Sequence, residues 1–123
     1  MNVTISKRFD FDAAHFLPKV PEDHKCRRMH GHTYVVELIC TGPLDERGFV
    51  LDYAELAAAW APLGLVLDHR VLNEIPGLEN PSTEVLAPWI ARRLASFLPS
   101  LVRVRVYESS TTWCEVDVSE ALA

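Results

Sequence analysis

Apolar and polar side chains alternate from Val3 to Phe16, with Val3, Ile5, Phe9, Phe11 and Ala13 on one face and Thr4, Ser6, Arg8, Asp10 and Asp12 on the other. A period of two is that of a strand half-buried in a sheet. Leu17 to Met29 carries Pro18, Pro21 and a series of basic and imidazole side chains and reads as a loop. His30 to Thr41 reads as a second strand. Gly42-Pro43 and Arg47-Gly48 bracket a turn before a short extended piece, Phe49 to Leu51. Asp52 then opens a helix, with Glu55 three residues on as in a capping box. Leu56, Ala59, Trp60 and Leu63 supply its apolar face, and Pro62-Leu63-Gly64 marks its fading end. Leu67 to Pro81 is loop-like. Ser82 or Asn80 caps a second helix, Thr83 to Leu98, predicted to bury Leu86, Ile90, Leu94 and Phe97. Leu101 to Ser110 and Thr112 to Val118 complete the pattern as two further strands.

The order ββααββ separates antiparallel strands from a pair of helices, which is the α+β class. The expected architecture is a four-stranded antiparallel sheet with two helices packed on one face, in a single domain spanning residues 1–123. Its open edges invite pairing with further copies of the chain into a ring. At 123 residues the chain can build one modest core. A net charge of −5, with no long run of like charge, speaks against a sequence-independent nucleic-acid binder. No apolar stretch approaches the roughly 20 residues of a membrane span. Met1 to Phe11 already alternates and carries Lys7, Arg8 and Asp10, unlike a secretion signal. Three scattered cysteines make no disulfide framework. The expected setting is the cytoplasm, with free thiols.

The chemistry gathers around the His-Gly-His of residues 30–32. His30 and His32 share a strand face, and His15 ends the earlier strand in phase with Phe9, Phe11 and Ala13. Two adjacent strands can therefore bring three imidazoles to one point. Three histidines without an evident fourth protein ligand are the pattern of a catalytic zinc with an open position. His-x-His alone is a weak pattern, and strand-end histidines are often ordinary polar residues; the in-phase His15 and nearby Cys26 favour the metal. Cys26 is flanked by Lys25, Arg27 and Arg28. Adjacent cations favour a thiolate, which can act as base or nucleophile; the alternatives are a spectator thiol or a fourth metal ligand. Cys40 and Cys114 fall inside strand patterns, as small core residues do. In Asp68-His69 a carboxylate can orient an imidazole and support its protonated form. His24 has no evident partner and reads as a surface residue. Glu108 shares a face with Val102, Val104 and Val106. A carboxylate on an apolar face needs donors, and a planar ring with two adjacent N–H groups, guanine-like or pterin, suits its two oxygens; otherwise it is a strand-end glutamate reaching solvent.

Together these residues resemble the family of 6-pyruvoyl-tetrahydropterin synthases and its 6-carboxy-tetrahydropterin branch. The resemblance covers nearly the whole chain. It runs through Phe11-Asp12-Ala13-Ala14-His15, Cys26-x-x-x-His30-Gly31-His32 and Phe49-Val50-Leu51-Asp52-Tyr53-Ala54-Glu55-Leu56. It continues in Leu67-Asp68-His69-Arg70-Val71-Leu72-Asn73, Glu79-Asn80-Pro81-Ser82-Thr83-Glu84 and Tyr107-Glu108. The three-residue gap between Cys26 and His30 resembles the carboxy branch; the pyruvoyl branch is usually longer there.

That resemblance implies the tunnelling fold, subunits joined edge to edge, and a hexamer of two stacked trimers with the active site between subunits. It implies that His15, His30 and His32 bind zinc and that Glu108 anchors the pterin, with Ser82 and Thr83 lining its pocket. It further implies that Cys26, Asp68 and His69 move protons, Cys26 coming from the same or the neighbouring subunit. The implied substrate is 7,8-dihydroneopterin triphosphate, cleaved to 6-carboxy-5,6,7,8-tetrahydropterin, acetaldehyde and triphosphate on the way to queuosine and other 7-deazapurines. Lys19, Lys25, Arg27 and Arg28 are candidates to meet the triphosphate. The rival readings are the pyruvoyl synthase reaction and a non-catalytic zinc- or pterin-binding ring protein. A zinc hydrolase would need a His-Glu-x-x-His helix, which the chain lacks.

Overall fold

The alternating stretch at the start of the chain forms one long strand, β1 (Val3–His15), antiparallel to β2 (His30–Gly42) along its whole length, from Val3 opposite Gly42 to His15 opposite His30. The structure, a computed structural model, describes residues 1–123. Helix α1 (Tyr53–Leu67) starts from Asp52 in the expected capping box: the Asp52 carboxylate accepts the Ala54 N–H at 2.8 Å, and Glu55 accepts the Asp52 N–H at 3.3 Å. Helix α2 (Thr83–Leu94) is capped by Ser82, whose hydroxyl accepts the Val85 N–H at 3.3 Å. Beyond a short third strand described below, β4 (Leu101–Tyr107) and β5 (Trp113–Asp117) form the second hairpin.

Both helices lie on one face of the sheet, α1 against β1 and α2 against β4 and β5. Between them and the sheet lies a core of 25 buried residues that includes Phe11, Tyr34, Val36, Leu38, Val104 and Val106. No helix is long and apolar enough to cross a membrane.

The expected four-stranded sheet with two helices and the order ββααββ is corrected in two places. A two-residue strand, β3 (Arg70–Val71), pairs in parallel with Ala13 and Ala14 of β1, giving a five-stranded sheet in the order β3-β1-β2-β4-β5. A third helix, α3 (Val118–Leu122), takes over at Val118, where the last strand was expected to end; it buries Val118 and Ala121, and Arg92 donates to the Ala121 carbonyl at 2.8 Å. Elements of two and five residues are too short to show a period.

The helix ends differ as well. Helix α1 does not fade at Pro62 but runs to Leu67. A proline inside a helix costs about 3 kcal/mol, and burying Leu63 and Leu67 offsets it at about 1.5–3 kcal/mol each. Helix α2 stops at Leu94 rather than Leu98. Pro99 disfavours helical backbone at Leu98, and the closing turn rotates Leu98 into the core while Phe97 stays 71% exposed. The expected burial of Phe97 is therefore wrong by one position.

Candidate metal centre

Register places the three imidazoles. His15 pairs with His30 and Ala13 with His32, and directly opposed residues of an antiparallel pair share a face. All three rings thus lie on the helix-covered face at one end of the sheet. β4 contributes Glu108 one residue beyond the Tyr107–Val35 pair, in phase with Val104 and Val106. The sequence pattern puts this carboxylate on that face. It does not anticipate its reach: one ligand atom each of His15, His30, His32 and Glu108 lie within 4.8 Å of one another. Glu108 thus stands as a candidate fourth donor beside the three histidines, a group that could hold a metal ion.

The outer nitrogens of two rings are fixed by carbonyls. His30 Nδ1 donates to the Arg28 carbonyl at 2.7 Å, and His15 Nδ1 to the Pro81 carbonyl at 2.9 Å. A ring nitrogen facing a carbonyl carries the proton, so each Nε2 presents its lone pair. Those two Nε2 atoms face each other at 3.0 Å. Two lone pairs at that distance repel unless a cation lies between them. His32 Nε2 is buried and makes no hydrogen bond, although Glu108 Oε1 is 2.7 Å away: the distance is short, but the oxygen does not lie where a ring N–H would point. Burial lowers the pKa values of His15 and His32, opposed at His15 first by the Pro81 carbonyl and at His32 by the Glu108 carboxylate, so both rings favour the neutral form that metal ligation requires. The donor set of three imidazole nitrogens and a carboxylate oxygen suits a divalent ion such as zinc.

Tyr34 is the residue the sequence reading passed over. It is completely buried, stacks on Phe11 and brings its hydroxyl to 3.2 Å from His15 Nδ1. Burial pushes its phenol pKa well up, so it stays neutral. The period-two signal that links His30 and His32 extends to Tyr34. No sequence signal marks the Arg28 and Pro81 carbonyls.

Cys26 lies in a 3₁₀ turn, Lys25–Arg27, and lines a cleft of about 470 Å³ with Lys25, His30, His32, Glu108, Ser109 and Thr112 of the same chain. Its backbone is held on both sides: the Cys26 N–H donates to His24 Nδ1 at 3.0 Å, and its carbonyl accepts the Leu17 N–H at 2.8 Å. His24, read as a partnerless surface residue, is thus the cap of the turn that carries Cys26. Arg27 donates to the Val20 carbonyl at 2.8 Å and is committed to the loop. Among the triphosphate candidates only Lys25 faces this cleft.

Asp68 and His69 do pair, Asp68 Oδ2 lying 2.9 Å from His69 Nδ1. The dipeptide is pinned to β1, where the Asp12 N–H donates to Asp68 Oδ1 at 2.9 Å and the His69 N–H donates to the Asp12 carbonyl at 2.6 Å. His69 is the single non-glycine residue at positive φ, +58°, a conformation that costs a side-chain-bearing residue energy and persists where the surroundings impose it. His69 lines a second cleft of about 540 Å³ with Asp12, Thr33 and Arg70, of which His32 is also a wall. No hydrogen bond or ion pair joins Cys26 to Asp68 or His69 within one chain.

The Asp68 carboxylate raises the His69 pKa, while the Asp12 N–H and then His69 lower that of Asp68. The pair therefore contributes between the lowered Asp68 pKa and the raised His69 pKa, fading as pH rises through the latter or falls through the former. By NMR, the His69 midpoint is expected above 6.5 and to drop in Asp68→Asn; a midpoint unmoved by that change would disprove the pairing. Ser82 and Thr83 do not line either cleft. Ser82 caps α2, and Thr83 donates to Glu84 at 2.8 Å and accepts the Cys114 S–H at its carbonyl at 3.0 Å.

Residues 4–119 match the family model described as 6-pyruvoyl tetrahydropterin synthase. The chain is 42% identical over 117 residues to a 6-carboxy-5,6,7,8-tetrahydropterin synthase of Synechocystis sp., covering 88% of each protein. It is 36% identical over 105 residues to a dihydroneopterin monophosphate aldolase of Pyrococcus furiosus, covering 85% of this chain and 86% of that relative. Among solved structures, 6-pyruvoyl tetrahydropterin synthase of Caenorhabditis elegans superposes with a TM-score of 0.87 at 25% identity, over 95% of this chain and 96% of that one.

Proposed function

Because the chain belongs to the 6-pyruvoyl tetrahydropterin synthase family, a pterin-lyase kind of enzyme, we propose that it is a zinc-dependent carbon–carbon lyase making 6-carboxy-5,6,7,8-tetrahydropterin. The substrate is 7,8-dihydroneopterin triphosphate. With one water it gives carboxy-tetrahydropterin, acetaldehyde and triphosphate, a product for queuosine and other 7-deazapurine pathways. The observation that carries this reading is one cleft that holds Cys26 beside His30, His32 and Glu108.

In this reading His15, His30 and His32 hold the zinc. A zinc ion bound there supplies Lewis acidity toward the side-chain hydroxyls of the substrate. Cys26 removes a proton from the substrate side chain as general base. His69, its Nδ1 held by Asp68, donates or relays protons from Nε2. Since His69, paired with Asp68, lines a different cleft from Cys26, the pair serves the Cys26 of a neighbouring copy in an edge-paired assembly, a hexamer of two trimers. Cys26 itself acts in the cleft of its own chain. Glu108 receives the pterin ring, and Lys25 meets the triphosphate.

The aldolase name of the Pyrococcus furiosus relative gives a second reading, cleavage of a dihydroneopterin monophosphate. Mass spectrometry of products from each of the two phosphorylated substrates separates them. The expected result is carboxy-tetrahydropterin with acetaldehyde from the triphosphate. A pyruvoyl product, or turnover confined to the monophosphate, would move the chain to another branch of the family.

A further inference from the structure

Glu108 makes two contacts, both through Oε1: 2.7 Å to His32 Nε2 and 3.5 Å to His15 Nε2. In a tetrahedral site with bonds of about 2.0–2.1 Å, ligand atoms lie about 3.3 Å apart. The separations here, 2.7 Å and 3.5 Å to the carboxylate and 3.0 Å between His15 and His30, straddle that value. With His32 Nε2 making no hydrogen bond to the oxygen beside it and all four ligand atoms within 4.8 Å of one another, this spacing suits ligands around one ion better than an ion pair.

We propose that Glu108 is an exchangeable fourth ligand of the metal, closing its coordination sphere in the substrate-free protein and leaving it when a pterin-type ring docks. This rests on the pterin reading above and goes beyond it by giving the anchor residue a second, alternating role. The four ligands are not held equally. His15 is buried and tied at Nδ1 to Pro81, and His30 is tied at Nδ1 to Arg28. The Glu108 side chain is 30% exposed, faces the cleft, and no side chain ties it from behind. Its backbone N–H donates to the Thr112 carbonyl at 3.1 Å, so the carboxylate can swing while the hairpin stays fixed. Two adjacent N–H groups of a ring would engage both carboxylate oxygens, and an oxygen so engaged is withdrawn from the metal. Ring recognition thereby vacates the fourth position, and the metal meets no other ligand until the ring is seated.

Cobalt(II)-substituted protein tests this, with unsubstituted pterin as the probe, because it offers the N–H groups but no side-chain hydroxyls to bind the metal. In the absence of pterin, Glu108→Gln is expected to bind cobalt at least about tenfold more weakly and to show a changed d–d spectrum. Saturating wild-type protein with pterin is expected to change its d–d spectrum too. Equal affinity and spectrum in Glu108→Gln would overturn the ligation, leaving a plain ring anchor. A wild-type spectrum unmoved at pterin saturation would overturn the exchange, and this measurement stands even if the variant does not fold. Failure of the lyase reading would show separately, as missing carboxy-tetrahydropterin in the product assay.

Discussion

Cys26→Ala is expected to lower turnover by about 10²–10⁴-fold, the range for loss of a positioned general base, while the protein keeps its metal. The asymmetry follows from placement. Cys26 lines the cleft of the imidazole cluster but is not among the four groups whose ligand atoms converge. Removing its thiol takes away a proton acceptor and leaves His15, His30, His32 and Glu108 in position. The turn that carries it is fixed by backbone bonds to His24 and Leu17, which alanine retains. Substrate binding should therefore change little and kcat should carry the loss, the pattern of an interaction made in the transition state. Metal analysis and steady-state kinetics on one preparation check both halves. Loss of the metal together with activity would make Cys26 a ligand, the alternative its sequence position leaves open. Full activity would return the thiol to a spectator.

How much of the fold and the site is legible in the sequence depends on period. Thirteen alternating residues fix the face of every side chain in β1, so the pattern alone places His15 with Phe11 and Ala13, and His30 with His32 by the same rule. The capping box at Asp52 is legible for a similar reason, because two side chains and two backbone groups must agree at one spacing. What escapes is short or comes from the backbone. β3 is two residues long and exists because Asp12 grips the Asp68-His69 dipeptide; no pattern precedes it. The Arg28 and Pro81 carbonyls that set the histidine tautomers belong to loops, and a backbone carbonyl has no signature in the sequence. Phe97 and Leu98 are adjacent apolar residues, and which one turns inward depends on where Pro99 stops the helix. Glu108 reads correctly as a carboxylate on an apolar face, but the pattern offers only a bound ring or solvent as its partner. Its distance to His32 is set by the pairing of β2 with β4, between residues about seventy apart in the chain.

His30→Ala should abolish metal binding and, with it, catalysis, and it is a cleaner test than the same change at His15. His15 is buried, holds the Pro81 carbonyl and contacts Tyr34. Removing its ring would strand those polar groups, so any loss of metal would be mixed with loss of fold. His30 is only partly buried and its one hydrogen bond outside the cluster is to the Arg28 carbonyl in an exposed loop, where water can replace it. The variant should keep its melting behaviour close to that of the parent, since the core between sheet and helices does not include this ring. Metal content should fall to about a tenth of an equivalent or less after dialysis, as expected when one of the ligands that tie the ion is lost. The metal's contribution to the transition state is worth several kcal/mol, and each 1.36 kcal/mol is tenfold in rate, so turnover should drop by about 10³-fold or more. Elemental analysis decides the first point independently of any assay. A full equivalent of metal in folded His30→Ala would place the ion elsewhere and remove the chemical basis for the cleft beside Cys26.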